Sequence, residues 1–235
     1  MANSYFQFQH FIVWHDKCAM KVGTDGVLLG AWASLVHTQS ILDVGCGSGL
    51  IALMLAQRSK GQIKAIDIDQ GAYNQTLFNI NHSPFKEQIK AYHLSLQAFA
   101  EKSKERYDLI ISNPPFFTHG IKSPDNQRST ARHSDTLFLN ELFASAKHLL
   151  HDTGRLALIL PYERLTDVQN ECLKNRWSCF RYALVYTKIG KSPKRLLIEL
   201  TPESLPWPSP ESIILTDANN QRTPTYHELI KDFFL

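Results

Sequence analysis

From Ile41 onward the chain alternates short runs of β-branched and aliphatic residues with longer stretches whose apolar side chains recur every three or four positions. The short runs predict strands over 41–44, 63–67, 89–94, 107–112, 155–160, 180–187 and 195–200. The longer stretches predict helices over 50–57, 72–80, 137–150 and 164–174. Strands that alternate with helices pair in parallel, and the crossover helices cover the sheet on both faces. Residues 188–194 alone separate the last two strands, too few for a crossover helix, so these two pair antiparallel as a hairpin at one end of the sheet.

On the flanks the pattern is weaker. Tyr5 to Gln9 alternates like a strand, and Val22 to Trp32 reads as a capped helix. Pro202, Pro206, Pro208 and Pro210 predict an extended segment before an amphipathic stretch over 226–234. The expected organisation is an N-terminal extension over 1–37 that packs beside a ligand pocket, an α/β domain over 38–201 and a C-terminal extension over 202–235.

Composition narrows the partners. A chain of 235 residues with 43% hydrophobic residues holds one large core, and a formal charge of +3 does not by itself demand a polyanion. Cys18, Cys46, Cys172 and Cys179 are scattered, with no spacing that suits a metal, so the expectation is reduced thiols and no metal centre. No signal peptide and no apolar run of roughly 18 residues is present, so the expected setting is cytoplasmic and away from the membrane.

Between the first strand and the first helix of the α/β pattern stands Leu42-Asp43-Val44-Gly45-Cys46-Gly47-Ser48-Gly49. The three glycines let the backbone turn tightly and pass close to a bound molecule, although taken alone they also suit a turn that binds nothing. Dinucleotide dehydrogenases use GxGxxG, whose third glycine allows close helix packing while the helix N-terminus faces a pyrophosphate. Here the third glycine comes one place early. Asp43 before the turn suits the cationic ammonium of a methionine moiety better than a pyrophosphate, which favours S-adenosylmethionine. The second strand ends at Asp67, about 20 residues on, where ribose hydroxyls are held in such folds. Asp69 is either the N-cap of the next helix or a further contact. The third strand leads into Ser95 and Leu96, at the place where such folds meet an adenine ring, so both join the candidate cofactor set.

Tyr107 to Phe116 carries the chemistry. An apolar strand runs directly into Asn113-Pro114-Pro115-Phe116. Consecutive prolines remove two backbone donors, so carbonyls around Asn113 and Pro114 are left free of a continuing ladder. The Asn113 side-chain oxygen and the Pro114 carbonyl can accept both N–H groups of an exocyclic amino nitrogen and leave its lone pair aimed at a methyl donor. Phe116 can stack on the planar group being modified. A proline turn with a core phenylalanine explains the four residues in isolation, but not after a glycine turn and an acidic second strand.

With GCGSG at 45–49, AIDID at 65–69 and SNPPF at 112–116, the chain resembles the class I S-adenosylmethionine-dependent N-methyltransferases with an (N/D)PP(F/Y) motif. That class acts on adenine, cytosine, guanine or glutamine amino groups. Lys21 to Trp32, Ala131-Arg132-His133-Ser134-Asp135 and Lys194-Arg195-Leu196-Leu197-Ile198-Glu199, with the overall length, are similar to the bacterial family of tRNA (adenine-N6)-methyltransferases that modify adenosine 37 in a valine tRNA. The likeness runs from about Phe6 to Leu200 and leaves the tail uncovered. It implies a Rossmann-like class I methyltransferase fold with seven strands, the last antiparallel. It also implies cofactor contacts from Gly23, Thr24, Gly45, Gly47, Gly49 and Asp67, with the target base at 113–116.

The segment 117–136 is long for a strand-to-helix link. Lys122, Arg128 and Arg132 there are candidates to hold phosphates beside a flipped-out base, against a solvated connector with no specific role. Lys191, Lys194 and Arg195 around the hairpin form a second candidate RNA surface. The expected partner is tRNA, with a monomer favoured. Guanine N2 in ribosomal RNA or a protein glutamine is the alternative target, and a non-catalytic RNA-binding module is the alternative class.

Overall fold

The structure is a computed structural model and describes residues 3–18, 21–114 and 139–234. Ten strands are present among these: β1 (Tyr5–Gln7), β2 (Ile12–Trp14), β3 (Ser40–Val44), β4 (Gln62–Asp67), β5 (Ile89–His93), β6 (Tyr107–Ser112), β7 (Leu150–Pro161), β8 (Ser178–Lys188), β9 (Arg195–Thr201) and β10 (Glu211–Thr216). The helices are α1 (Thr24–Trp32), α2 (Leu50–Arg58), α3 (Gln70–Asn81), α4 (Leu96–Lys102), α5 with described residues 139–149, α6 (Leu165–Asn175) and α7 (Pro224–Ile230).

β1 and β2 form a small antiparallel pair, and the other eight strands form one sheet in the order β10-β8-β9-β7-β6-β3-β4-β5. Only β9 runs antiparallel, against both β7 and β8. Alternation along the central strands sorts their side chains to two faces. Ile41, Leu109, Ile111 and Ile159 pack under α1, α2 and α7, whereas Leu42, Ile110, Leu156 and Leu158 pack under α4, α5 and α6. Each fully buried aliphatic side chain contributes about 1.5–3 kcal/mol. Both faces are thus apolar, which is why the strands read as near-continuous hydrophobic runs.

The sheet has eight strands, not seven. Ile213, Ile214 and Leu215 supply a short β-rich run after the proline segment, and β10 pairs in parallel with β8 through Ile213 opposite Val185. The β8–β9 hairpin therefore lies one place in from the edge. Two further elements escape the hydrophobic pattern. β2 has three residues, and α4 has seven behind the Ser95 cap, too short for either period to show.

Candidate active site

β3 and β6 are adjacent, and Ser112 Oγ donates to the Val44 carbonyl at 2.8 Å, so the two strands end side by side. The glycine turn leaves β3 there, and Asn113 leaves β6 beside it. Gly45 (φ 70°) and Gly47 (φ 57°) occupy the left-handed region, where a side chain is strained, and a Cβ at either would meet nothing within 4 Å. The backbone at this point therefore faces open space. The N–H groups of Gly45 and Cys46 donate to the Ile66 carbonyl at 2.9 and 3.1 Å, which fastens the turn to β4. Thr76 Oγ1 donates to the Gly47 carbonyl at 2.8 Å.

Asp67 belongs to the same assembly. Its carboxylate accepts from the Gly47 N–H and from the Asp69 N–H, both at 2.9 Å. A carboxylate has about four acceptor directions, so capacity remains for hydroxyl groups. Asp69 is the N-cap of α3, accepting from the Ala72 N–H at 2.7 Å, which resolves its two readings toward the cap. Ser95 likewise caps α4 through the Ala98 N–H at 3.1 Å, and Leu96 is buried at the start of that helix.

Asp43 is fully buried beneath the turn. One oxygen accepts from the Ala52 N–H at 3.1 Å, and the other has no hydrogen-bond partner among the described residues. Burial pushes its carboxyl up to about 7, with the nearby Asp67 adding to the rise and the Ala52 bond opposing it. A carboxyl whose pKa is raised on folding binds more protons in the folded state, so the stability this group contributes is fully present below the unfolded value of 3.8 and is lost as pH rises through about 7. Asp43→Asn is expected to remove this fall from denaturation midpoints measured between pH 4 and 7.5. An unchanged slope would assign the titration elsewhere.

A cavity of about 780 Å³ opens at this edge. It is lined by Gly23, Thr24 and Asp25 at the start of α1 and by Gly45, Gly47 and Ser48 of the glycine turn. Asn113 and Pro114 line it too, as do Glu163, Val185, Thr187 and Leu215. Lys194 and Arg195 also line it, whereas Lys191 lies exposed in the β8–β9 turn, away from the cavity wall. Of the other expected cofactor residues, Asp43, Asp67, Ser95 and Leu96 do not line it. Pro115, Phe116, Lys122, Arg128 and Arg132 fall outside the described residues.

Several lining residues escape a reading of the sequence. Glu163 follows the carboxyl end of β7, where parallel sheets place their ligands, and that rule alone would have found it. Leu215 sits on the unforeseen β10, so no local signal marks it. Among the described residues no group of His, Cys, Asp and Glu side chains is arranged to hold a metal, and no helix is long and apolar enough to cross a membrane.

Residues 22–174 match the methyltransferase small domain family. The chain is 47% identical over 100% of its length to a tRNA1(Val) (adenine(37)-N6)-methyltransferase of Parabacteroides distasonis, covering 99% of that protein. It is 41% identical to the protein of the same name in Haemophilus influenzae, with 99% of each chain covered. Among solved structures, a predicted O-methyltransferase of Agrobacterium tumefaciens superposes with a TM-score of 0.72 at 17% identity, over 89% of this chain and 96% of the other. A ribosomal protein L11 methylase of Lactobacillus delbrueckii gives 0.55 at 16% identity, over 76% and 77%. These distant structures show the fold. The full-length likeness shows the family: the chain belongs to the tRNA1(Val) (adenine(37)-N6)-methyltransferases, built on the methyltransferase small domain.

Proposed function

We propose that this chain methylates the exocyclic N6 of an adenosine in tRNA, with S-adenosylmethionine as donor, and that the target is adenosine 37 of a valine tRNA, as in the names of its relatives. The observation that supports this most is the shared cavity, which the glycine turn and Asn113-Pro114 both line. The described residues fit the cofactor. The backbone at Gly45 and Gly47 is open on one side, Asp67 retains acceptor capacity, and buried Asp43 holds an unpaired oxygen that a nearby cation would stabilise. The volume also lies within the ordinary range for small-molecule sites, about 300–1,000 Å³.

When bound, S-adenosylmethionine supplies a methyl group on a sulfonium, which needs a lone pair in line with it. An adenine amino group is a weak nucleophile because its lone pair is delocalised into the ring. The Asn113 side-chain oxygen and the Pro114 carbonyl accept its two N–H bonds, which fixes the nitrogen and favours the charge that develops on it. An amide oxygen is too weakly basic to keep the surplus proton, which passes to solvent. Phe116 is assigned the stacking partner of the extruded base, and Lys122, Arg128 and Arg132 the contacts to flanking phosphates.

Asp67→Ala is expected to weaken S-adenosylmethionine binding by about 1–3 kcal/mol, since ribose hydroxyls lose a charged acceptor and the Gly47 N–H loses its partner. Calorimetry on the folded variant measures this, and equal affinity would remove Asp67 from the site. The reaction itself is tested by offering labelled cofactor with total tRNA, ribosomal RNA and a peptide release factor. Label in tRNA is the expected outcome, while label in either of the others would reassign the acceptor.

A further inference from the structure

Arg195 stands where a substrate-binding cation is expected, but its side chain is already engaged. Its Nε donates to Asp25 Oδ2 at 2.8 Å, and its Nη1 donates to the Lys194 carbonyl at 3.0 Å. Asp25 lies in the first turn of α1, directly after Gly23 and Thr24, and all three line the cavity. The first backbone bond of this turn is long, the Val27 N–H donating to the Gly23 carbonyl at 3.3 Å. The N-cap is Gly23, which offers no side-chain cap, and a Cβ placed there would find only one atom within 4 Å, the Lys21 carbonyl.

The other end of the bridge is rigid. β9 is paired on both sides, with Arg195 opposite Pro161 of β7 and Val185 of β8. The Lys194 N–H donates to the Val185 carbonyl at 2.8 Å, so the chain is fastened up to the residue before Arg195. The pair therefore joins a helix start that has no side-chain cap to the inner part of the sheet, and both of its residues line the cavity. Lys194 is different: its ammonium has no carboxylate partner among the described residues and remains available to an anion.

We propose that Arg195 is a positioning residue, which acts through Asp25 to hold the Gly23-Thr24 turn against the cofactor and does not itself bind RNA. This rests on the reading of the cavity as the S-adenosylmethionine site. It divides the two neighbouring cations by role, Arg195 for the cofactor wall and Lys194 for the substrate side. The pair is partly exposed, at 37% and 30% for the two side chains, so its effect is modest and sensitive to salt.

The test measures S-adenosylmethionine and S-adenosylhomocysteine affinity by calorimetry on RNA-free protein, alongside binding of unmodified tRNA. Arg195→Ala and Asp25→Asn are each expected to weaken cofactor binding about three- to fivefold. The double variant should be no weaker than either single one, because both remove the same contact. Arg195→Lys should recover part of the loss, and the exchanged pair Asp25→Arg with Arg195→Asp most of it. The gap between wild type and Arg195→Ala should shrink in 1 M salt, and backbone amides over 24–28 should exchange faster in the variant. tRNA affinity and its salt slope should stay at the wild-type level. Unchanged cofactor affinity in Arg195→Ala, or a lower salt slope for tRNA binding, would overturn the proposal and return Arg195 to the RNA surface. A wild-type protein that binds neither cofactor form would instead refute the cofactor site, and with it this proposal. A different methylated acceptor would leave the proposal standing.

Discussion

Alanine in place of Asn113 is expected to slow the methyl-transfer step about 10²–10³-fold at saturating cofactor, the cost of deleting one preorganised hydrogen-bonding group at a reacting centre. The size follows from where Asn113 is held. β6 is paired on both sides, Ser112 is bonded to the end of β3, and Pro114 restricts the backbone immediately after. The backbone that carries the amide is thus held in place before substrate arrives. Alanine keeps the Pro114 carbonyl but leaves one N–H of the target unbound, so the lone pair is no longer oriented. Asn113→Asp retains an acceptor in nearly the same place and should lose less activity than alanine. Because the missing interaction strengthens as charge develops, the loss should fall on the rate at saturation more than on substrate affinity. Single-turnover kinetics with folding verified by circular dichroism measure this, and turnover near wild type in Asn113→Ala would contradict the mechanism.

Glu199→Ala is expected to destabilise the fold by about 3–5 kcal/mol, the range found when one partner of a buried ion pair is removed. Glu199 lies on β9 with no exposed surface and accepts from the Ser34 N–H at 2.6 Å. Burial raises its carboxyl, while Ser34, Arg181 and Arg155 pull the other way. Arg155 Nε approaches it at 3.5 Å. The surrounding guanidinium groups serve the end of α1. Arg58 donates to the carbonyls of Gly30 and Ala33 at 2.7 and 2.9 Å, and Arg181 donates to that of Trp32 at 2.8 Å while lying 3.9 Å from its ring centre. Glu199 is the buried carboxylate facing this group, with Glu211 3.8 Å from Arg181 on a more exposed side, and alanine leaves Arg155 without its carboxylate. Glu199→Gln keeps an acceptor for Ser34 and the shape of the side chain, so it should cost less. Urea denaturation decides the matter, with a lower midpoint at an unchanged slope expected for alanine. A midpoint equal to wild type would show that solvent, not Glu199, balances these arginines.

The two ends of α1 are therefore secured by different means. Three arginines gather at its carboxyl end, and the Asp25–Arg195 pair braces the end that borders the cavity. None of this was legible along the chain. Asp25 and Arg195 are 170 positions apart, and a charged pair at that distance leaves no periodic trace. Arg195 reads as one more cation in a basic hairpin until its partner is seen. By contrast, the glycine turn and the Asn-Pro-Pro step are dictated by consecutive residues whose backbone limits are local, and they stand out at once. The central strands were equally plain, because burial on both faces makes each a continuous apolar run. β10 was hidden for a related reason. Its pairing with β8 is non-local, and the prolines before it announce an extended linker, not a strand. Asp69 and Ser95 lie between these cases: both stand three residues before a helical N–H that they cap, so a local rule covers them, but it competes with the functional reading of the same side chains.

In the proposed reaction the cavity joining the glycine turn to Asn113-Pro114 directs a methyl group to the N6 of one adenosine. Single-turnover methylation of an unmodified valine tRNA transcript, followed by digestion to nucleosides and mapping of the label, tests it most directly. The expected product is N6-methyladenosine at position 37, at up to one methyl per tRNA, and it should disappear when that adenosine is replaced by guanosine. Label on a different base, on a ring nitrogen, or on protein and not on tRNA would contradict it.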